Sequence, residues 1–515
     1  MKNKTGPQVS GRVGALWREG LLVGLVLVAA SFLTRATGFG HPDMNVDETF
    51  YFAAGLEILQ GAIPFVDVWD RKPAGHFLIF AAIAAISDWY VTYQIVAALF
   101  AAATAGAIYY GARAFASRAA SMAGAVIYLL SLCLFDGVGG QSAVFYNAFM
   151  AAAGVMLLTS LPNVAGSKSQ WRIAIAMALA GIAITIKTTA VFEAVFFGIF
   201  AASVQIRSHG LTLPTIRRIA GWAALGAAPS AAIAAWYWAQ GYWDEYWTAM
   251  VLSNLRKPLD SEGAVQRLPI IAGMLAPLFA AAAISLAGRT TFQKVFLGGW
   301  IGAAVIGFLS IPAGFLLYAM PLLVPLCLTA PGCLAKERLG FFVMGVAATV
   351  PLIFYPFLDF AATAHARQVM DRLVEAVERG KKGGGDLLVF DGPPLLYPLT
   401  NSRFPTPLAF PNHLHQFEEQ DVSHIPTIAE LKRILAARPA VIVDRNAVAN
   451  NREAIGLIDD YVAKNCRVMA SESMIEDWSV EVTVYGQCRL GNGSKATGPV
   501  RWNANGRTAF AARPF

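Results

Sequence analysis

Charged residues are scarce in this 515-residue chain: Asp, Glu, Lys and Arg make up 14% of it, whereas apolar residues make up 56%. A mean hydropathy of +0.51 excludes an ordinary soluble protein and indicates a chain that crosses a membrane several times. Cysteine is also rare, with five residues. Only Cys466 and Cys488 lie in a polar stretch, where they can pair if that stretch meets an oxidising compartment.

Sequence motifs for nucleotide binding and for common hydrolytic chemistry are missing. The chain contains no P-loop, no G-x-G-x-x-G after a strand, no G-x-S-x-G and no H-E-x-x-H. The net charge of +7 comes mostly from basic loops on one membrane face, so it does not indicate a nucleic-acid partner. An enzyme that cradles a nucleotide phosphate in a glycine-rich loop is therefore not expected.

Eleven apolar segments predict a polytopic α-helical membrane protein, because each is long enough, or nearly so, to span a bilayer. The segments are 20–38, 90–111, 119–135, 144–161, 172–187, 189–205, 219–239, 268–287, 293–311, 319–334 and 339–358. If the N-terminus is cytoplasmic, every inner loop carries Lys or Arg, and most basic residues of the outer loops fall in two loops. The odd number of spans then puts the C-terminal region outside.

The C-terminal region has a different pattern. Predicted strands at 386–391, 440–444 and 480–489 alternate with predicted helices at 428–437 and 452–464. Such alternation predicts a small α/β domain with a partly parallel sheet.

The predicted domain organisation has three parts. Residues 1–361 form a transmembrane domain with a first outer loop at 38–89, residues 362–490 form an extramembrane α/β domain, and residues 491–515 form a loose tail.

Ionisable residues are most dense directly after the first apolar segment. They are Asp43, Asp47, Glu48, Glu57, Asp67, Asp70, Arg71, Lys72 and His76. Asp47 and Glu48 open a predicted amphipathic helix, with Tyr51 and Leu59 on its apolar side. A second apolar stretch at 72–86 is too short to span and predicts an interfacial or re-entrant helix. Two short helices with these charges predict half of an active site.

The order of motifs in this loop is D-E followed by Tyr51, then G-x-x-P, then D-x-K-P. It resembles the GT-C class of membrane glycosyltransferases, close to bacterial members of glycosyltransferase family 39, protein O-mannosyltransferases and lipid A aminoarabinose transferases. The resemblance implies a GT-C fold and transfer of a sugar from a polyprenyl-phosphate carrier on the outer face of the membrane. The aminoarabinose enzymes have an acid where this chain has Arg71, and a second proline where it has Ala74. Metal binding and the acceptor are therefore not carried over.

Transfer to a hydroxyl group requires a carboxylate that accepts its proton. The resemblance implies this role for Asp47, with Glu48 as the second catalytic candidate. It also implies that Lys72 contacts the carrier phosphate, where negative charge develops. Further candidates for binding the donor phosphate are Arg71, Lys187, Arg256 and Tyr318; candidates for contacting substrate are Asp70, His76 and Tyr51.

No metal ligands are assigned, although a divalent metal is compatible with the chemistry. His413, His415 and His424 are interpreted as polar surface histidines. The predicted function is inverting transfer of a sugar to a glycan, lipid or protein acceptor by a multi-pass protein of the cell inner membrane. Its N-terminus would be cytoplasmic and its α/β domain periplasmic or external. Two alternatives stay open: a non-catalytic or transporter-like protein that binds glycolipids, and a ligase that moves a whole glycan.

Overall fold

The computed structural model describes residues 8–256, 261–311, 313–382, 384–445, 450–473 and 481–488. The helices are α1 Gln8–Thr34, α2 Val46–Leu59, α3 Ala74–Ala84, α4 Val91–Ala112, α5 Arg118–Leu134, α6 Ser142–Ser160, α7 Ser167–Ile186, α8 Val191–His209, α9 Leu213–Gln240, α10 Trp243–Trp247, α11 Ser253–Arg256, α12 Ser261–Ala287, α13 Thr291–Leu309, α14 Met320–Thr329, α15 Glu337–Phe354, α16 Phe360–Gly380, α17 Leu396–Leu399, α18 Asn412–His415, α19 Thr427–Ala436 and α20 Arg452–Asn465. The strands are β1 Leu387–Val389, β2 Val441–Arg445, β3 Arg467–Ser473 and β4 Glu481–Gly486.

The prediction of a polytopic α-helical protein with a C-terminal α/β region is confirmed. Each of the eleven apolar segments corresponds to a helix. Among the described residues, eight helical stretches are long and apolar enough to cross a membrane, and one of them, Leu316–Phe354, joins two of the predicted segments. Glu19–Thr34 and Arg118–Leu134 are shorter apolar helices. The predicted tail at 491–515 lies outside the described residues.

The chain forms two compact units. The first comprises residues 1–36, 95–230 and 260–357. Within it, α6 packs along α7, and α8 along α13. A glycine on α6 also permits close approach of a side chain from α13: a Cβ on Gly154 would lie 2.2 Å from the ring of Trp300. The Trp300 indole in turn donates a 2.6 Å hydrogen bond to the buried carboxylate of Glu193, which satisfies a polar group that would otherwise be costly to bury.

The second unit comprises residues 37–94, 231–259 and 358–515. It holds a four-stranded sheet in the order β1-β2-β4-β3. β1 and β2 are parallel, with Leu388 opposite Ile442, whereas β4 is antiparallel to both β2 and β3. The predicted partly parallel sheet is therefore present. β3 was not predicted, and residues 480 and 489 of the predicted last strand lie outside the described residues.

Helix α16 covers one face of this sheet. Its residues Val369, Leu373 and Val377 are fully buried against apolar residues of the strands, among them Val443 and Val484. The spacing of three to four residues puts them on one side of the helix. Full burial of each such side chain stabilises the fold by about 1.5–3 kcal/mol, so the sheet and α16 share one core.

Candidate active site

The first turn of α2 presents the two predicted catalytic acids. Asn45 adopts an extended conformation before the helix, and its side chain accepts a 2.9 Å hydrogen bond from the Asp47 amide. Such capping and the helix dipole favour acids at these positions. The two carboxyl groups lie in different environments: the Asp47 side chain is 27% exposed, whereas Glu48 is buried at 1%. Only Asp47 is open to a substrate in this conformation.

The prediction that helix α2 is amphipathic is wrong. Residues from Glu48 to Gly55 are all buried, so burial extends around the whole circumference. Leu59, predicted on the apolar side, is 50% exposed. The reason is tertiary: α2 packs against α3 and against residues far along the chain. Arg403, for example, contacts Glu57 at 2.5 Å.

Lys72 and Asp47 form an ion pair, with 2.6 Å between Lys72 Nζ and Asp47 Oδ2. The same ammonium group lies 4.5 Å from the centroid of the Tyr51 ring. Pro73 follows Lys72 and is the N-cap of α3, which begins at Ala74. Lys72 is therefore placed at the end of the loop that leads into this helix. The structure thus brings together the predicted base and the predicted phosphate-binding cation, and both side chains remain partly exposed.

Beneath this pair lies a buried polar network. Tyr51 donates a hydrogen bond from its hydroxyl to Asp70 Oδ2. Asp70 Oδ1 lies 3.3 Å from His413 Nε2, and His413 Nδ1 lies 3.5 Å from Glu419 Oε2. Glu419 Oε1 also pairs with Arg71 at 2.6 Å. The network connects the segment from Asp70 to Lys72 with α18 and the residues that follow it.

The contacts within the network shift the pKa values of Asp70, His413 and Tyr51. Burial alone would raise the pKa of Asp70, but contact with His413 and the charges of Lys72 and Arg71 lower it. Burial opposes protonation of His413, yet Asp70 and Glu419 raise its pKa above the usual 6.5. Burial and the neighbouring Asp70 charge raise the pKa of Tyr51 well above its usual value. Asp70 is therefore an anion and Tyr51 a neutral donor.

The interpretation of His413 and His415 as surface residues is wrong, since both are 1% exposed. His415 Nε2 lies 3.6 Å from Asp391 Oδ1, and Arg445 contacts both Asp391 and Asp43. Burial and the Arg445 charge lower the pKa of His415 to about 3, so this imidazole is neutral. The pKa values of the two histidines shift in opposite directions because His413 faces two carboxylates, Asp70 and Glu419, whereas His415 faces Asp391 and the Arg445 charge.

The three residues predicted to contact substrate are buried. Asp70 is 5% exposed, His76 1% and Tyr51 fully buried. The His76 ring packs edge-on against Tyr51, with 4.3 Å between centroids. Their contact with substrate stays a prediction; in this structure they support the Asp47–Lys72 pair from below.

Lys187 and Tyr318, both predicted at the donor phosphate, come together in the first unit. Lys187 Nζ lies 5.0 Å from the centroid of the Tyr318 ring. Tyr318 also lines a small cavity with Tyr146, Thr189 and Glu193. The space that the centre of a water molecule can occupy in this cavity is about 10 Å³, so the cavity can hold about one water.

Arg256, the last predicted phosphate contact, is exposed and donates a 3.2 Å hydrogen bond to the carbonyl of Ser423. Among the described residues, no three His, Cys, Asp or Glu side chains are arranged to hold a metal ion. Pro312, the start of the segment that contains Tyr318, lies outside the described residues.

Sequence reasoning missed Glu419, which faces both Arg71 and His413. The available signal was weak. Glu419 follows the H-x-H pair in a short polar stretch, and nothing in its local sequence indicates a partner 348 residues away.

The fold has solved counterparts. No protein-family model matches the sequence, and no curated protein sequence matches it. The structure is similar to that of ArnT from Cupriavidus metallidurans bound to undecaprenyl phosphate, with a TM-score of 0.58, 13% identity, and coverage of 89% of this chain and 97% of that one. The apo state of the same protein gives a TM-score of 0.56 and 12% identity over 92% of this chain and 98% of that one.

The chain has a GT-C glycosyltransferase fold. This confirms the resemblance that the first outer loop indicated. At such low identity the likeness concerns the fold alone, so the roles of individual residues rest on their own geometry.

Proposed function

We propose that this protein is a membrane glycosyltransferase that moves a sugar from a polyprenyl-phosphate carrier to a hydroxyl group of an envelope glycan, lipid or protein. The observation that carries the proposal is the Asp47–Lys72 pair: a carboxylate and an ammonium, 2.6 Å apart and both partly exposed, at the start of two adjoining helices. The GT-C fold and the undecaprenyl phosphate bound to ArnT support a lipid-phosphate donor.

In the proposed reaction the acceptor oxygen attacks the anomeric carbon of the donor. Asp47 takes the hydroxyl proton as the new carbon–oxygen bond forms. The bond from the anomeric carbon to the phosphate oxygen breaks, and its electron pair stays on the released polyprenyl phosphate. The Lys72 ammonium stabilises that charge. Attack from the face opposite the phosphate inverts the anomeric carbon.

The observed ion pair then represents the enzyme before donor binding. In an inverting displacement the base and the leaving phosphate lie on opposite faces of the sugar, so the sugar has to fit between Asp47 and the cation. A 2.6 Å contact leaves no room for it. We infer that the donor phosphate displaces Asp47 from Lys72, which also frees the carboxylate to accept a proton.

The remaining predicted roles are part of the same proposal. Glu48 is the second catalytic candidate. The further candidates for binding the donor phosphate are Arg71, Lys187, Arg256 and Tyr318. We propose an inner-membrane location with a cytoplasmic N-terminus and an external α/β region. A divalent metal is compatible with this chemistry, and no residue is assigned to bind it.

Transfer of sugar from a polyprenyl-phosphate donor by the purified protein tests the proposal. Asp47→Asn keeps the shape of the side chain and removes the proton acceptor, so we expect transfer to fall by about 100- to 10,000-fold. Asp88→Asn is the matched control, because Asp88 is exposed in the same unit. Normal transfer by Asp47→Asn refutes the assigned base. A wild-type protein that binds the donor without consuming it favours the glycolipid-binding alternative, and transfer of an intact glycan favours the ligase.

A further inference from the structure

Three consecutive residues, Asp70, Arg71 and Lys72, are each held by a separate partner. Lys72 pairs with Asp47, and Arg71 pairs with Glu419. Asp70 accepts from Tyr51 and faces His413. Two of the three anchors therefore lie on the segment from α18 to Glu419, about 350 residues further along the chain.

His413 is placed between two carboxylates. Its Nε2 faces Asp70 at 3.3 Å and its Nδ1 faces Glu419 at 3.5 Å. A neutral imidazole carries one N–H and one lone pair, so one nitrogen would turn its lone pair toward a carboxylate oxygen. The imidazolium is attracted to both carboxylates at these ion-pair distances, although neither ring nitrogen has hydrogen-bond geometry. The arrangement thus favours the charged form, and the raised pKa of His413 agrees with it.

The charges of the network favour this cation. Asp70 and Glu419 are 5% and 4% exposed, and Arg71 pairs with Glu419 at 2.6 Å. Without the imidazolium, the buried Asp70 carboxylate would lose the cation that faces it at 3.3 Å and would keep the Tyr51 hydroxyl and the charges of Lys72 and Arg71. Removing one partner of a buried ion pair is strongly unfavourable, so the segment would rearrange.

We propose that His413 is a positioning residue for the proposed transfer reaction: by joining Asp70 to Glu419 it holds the loop that presents Lys72 to the donor phosphate. The inference rests on the proposed function and adds a residue of the C-terminal region to it. His413 does not touch the reacting atoms in this scheme. It acts through Asp70, whose backbone neighbours carry Arg71 and Lys72.

A pH dependence follows from the sign of the shift. The pKa of His413 is raised above 6.5, so its stabilising charge is fully present below pH 6.5 and is lost as pH rises through the raised pKa. The charged groups that act on it are Asp70 and Glu419 directly, with Arg71 and Lys72 behind Asp70. On its own helix His415 is neutral, since its pKa is lowered to about 3.

Two further helices pack against α18, namely α19 and α20. Their charged residues pair with one another: Glu430 pairs with Arg433 within α19, and Lys432 of α19 lies 3.8 Å from Glu453 of α20. Alkaline pH should therefore weaken donor affinity through His413 and the groups that face it.

The test is His413→Gln, measured as donor affinity and transfer rate between pH 6 and pH 9 in the full-length protein. Displacing the loop by about 1 Å costs about 100-fold, so we expect transfer at limiting donor to fall by about that factor at pH 6. We expect the wild type to lose donor affinity as pH rises, and we expect this alkaline fall to be missing in His413→Gln. His365→Gln is the control, because His365 is a partly exposed histidine in the same unit.

Two double variants show whether the effect passes through Lys72. In a Lys72→Ala background, His413→Gln should cost little further affinity, since the group being positioned is already gone. Adding Asp70→Asn to His413→Gln should restore part of the activity, because the buried carboxylate that faced His413 is neutralised together with its cation, while Glu419 keeps Arg71. Full additivity with Lys72→Ala, or an unchanged alkaline limb in His413→Gln, overturns the proposal.

Failure of the proposed function gives a different result. If the wild type transfers no sugar, the affinity for a polyprenyl phosphate alone is measured over the same pH range. A loss of that affinity in both His413→Gln and Lys72→Ala supports positioning in a binding protein. If the affinity is lost in Lys72→Ala only, His413 has no positioning role. If the wild type binds no polyprenyl phosphate, both proposals are overturned.

Discussion

Gly55 of α2 lies directly against the backbone of Phe80 in α3. A Cβ added to Gly55 would lie 2.7 Å from both the carbonyl carbon and the carbonyl oxygen of Phe80. The contact is with backbone, so no side-chain rotation relieves it. Helix α2 carries Asp47, and helix α3 follows Lys72. At Gly55 the two helices are therefore so close that only glycine fits.

Gly55→Ala should force α2 and α3 apart. We expect a loss of about 1–3 kcal/mol of stability, as for other insertions into packed cores, and a lower transfer rate because the Asp47–Lys72 geometry changes. Thermal unfolding in detergent, together with the transfer assay, measures both effects.

Gly106→Ala is the control for this experiment. Gly106 lies within α4, and a Cβ there meets nothing within 4 Å. This change should be neutral, or stabilising by about 0.4–1 kcal/mol. Equal behaviour of the two variants would show that the α2–α3 contact does not constrain the site.

Donor binding should respond in opposite directions to changes at Asp47 and Lys72. Asp47→Asn removes the anion that competes with the donor phosphate for Lys72, so the affinity for a polyprenyl phosphate should rise by up to about 5-fold, as for loss of a partly exposed ion pair. Lys72→Ala should weaken the same affinity. Lys432→Ala, at an exposed ion pair with Glu453, should leave it unchanged. Weaker binding in Asp47→Asn would contradict displacement of Asp47 by the phosphate.

Cys466 and Cys488 form a disulfide between residues that are 22 positions apart in the sequence. In the chain-entropy description, such a crosslink stabilises the fold by about 3 kcal/mol. We expect both cysteines to resist alkylation until a reductant is added, and the double change to serine to lower the unfolding free energy of the α/β region by about that amount.

Cys133, Cys327 and Cys333 are buried free thiols, and they provide the internal reference in the same experiment. They should label only after denaturation, with or without reductant. Immediate labelling of Cys466 and Cys488 in the folded, unreduced protein would exclude the bridge.

Reporter fusions test the proposed orientation. A fusion after Arg207, in a basic loop, should report the cytoplasm, and a fusion after Ala362 should report the external side. The two sites are separated by five of the predicted segments, an odd number, so they should lie on opposite faces. Both reporters on one face would require a different number of spans.

Much of the fold was predictable from local pattern. Apolar segments of about 20 residues became helices because the length and composition of a span are local properties. The buried strands β1 and β2 were also predicted, since short apolar runs that end at Asp391 and Asp444 carry their own signal. β3 has exposed and intermediate positions and was missed for that reason.

The sequence by itself also determined the content of the candidate site: Asp47 at a helix start and Lys72 before a proline are local features. Tertiary structure alone decided which charges meet. Arg71 is paired with Glu419, His413 lies between two carboxylates, and α2 is buried on all sides. Side-chain periodicity reports which residues share a face of one element, and carries no information on which distant element covers that face. Pairing across hundreds of residues depends on the packing of the whole unit, and burial then makes each charge require a partner.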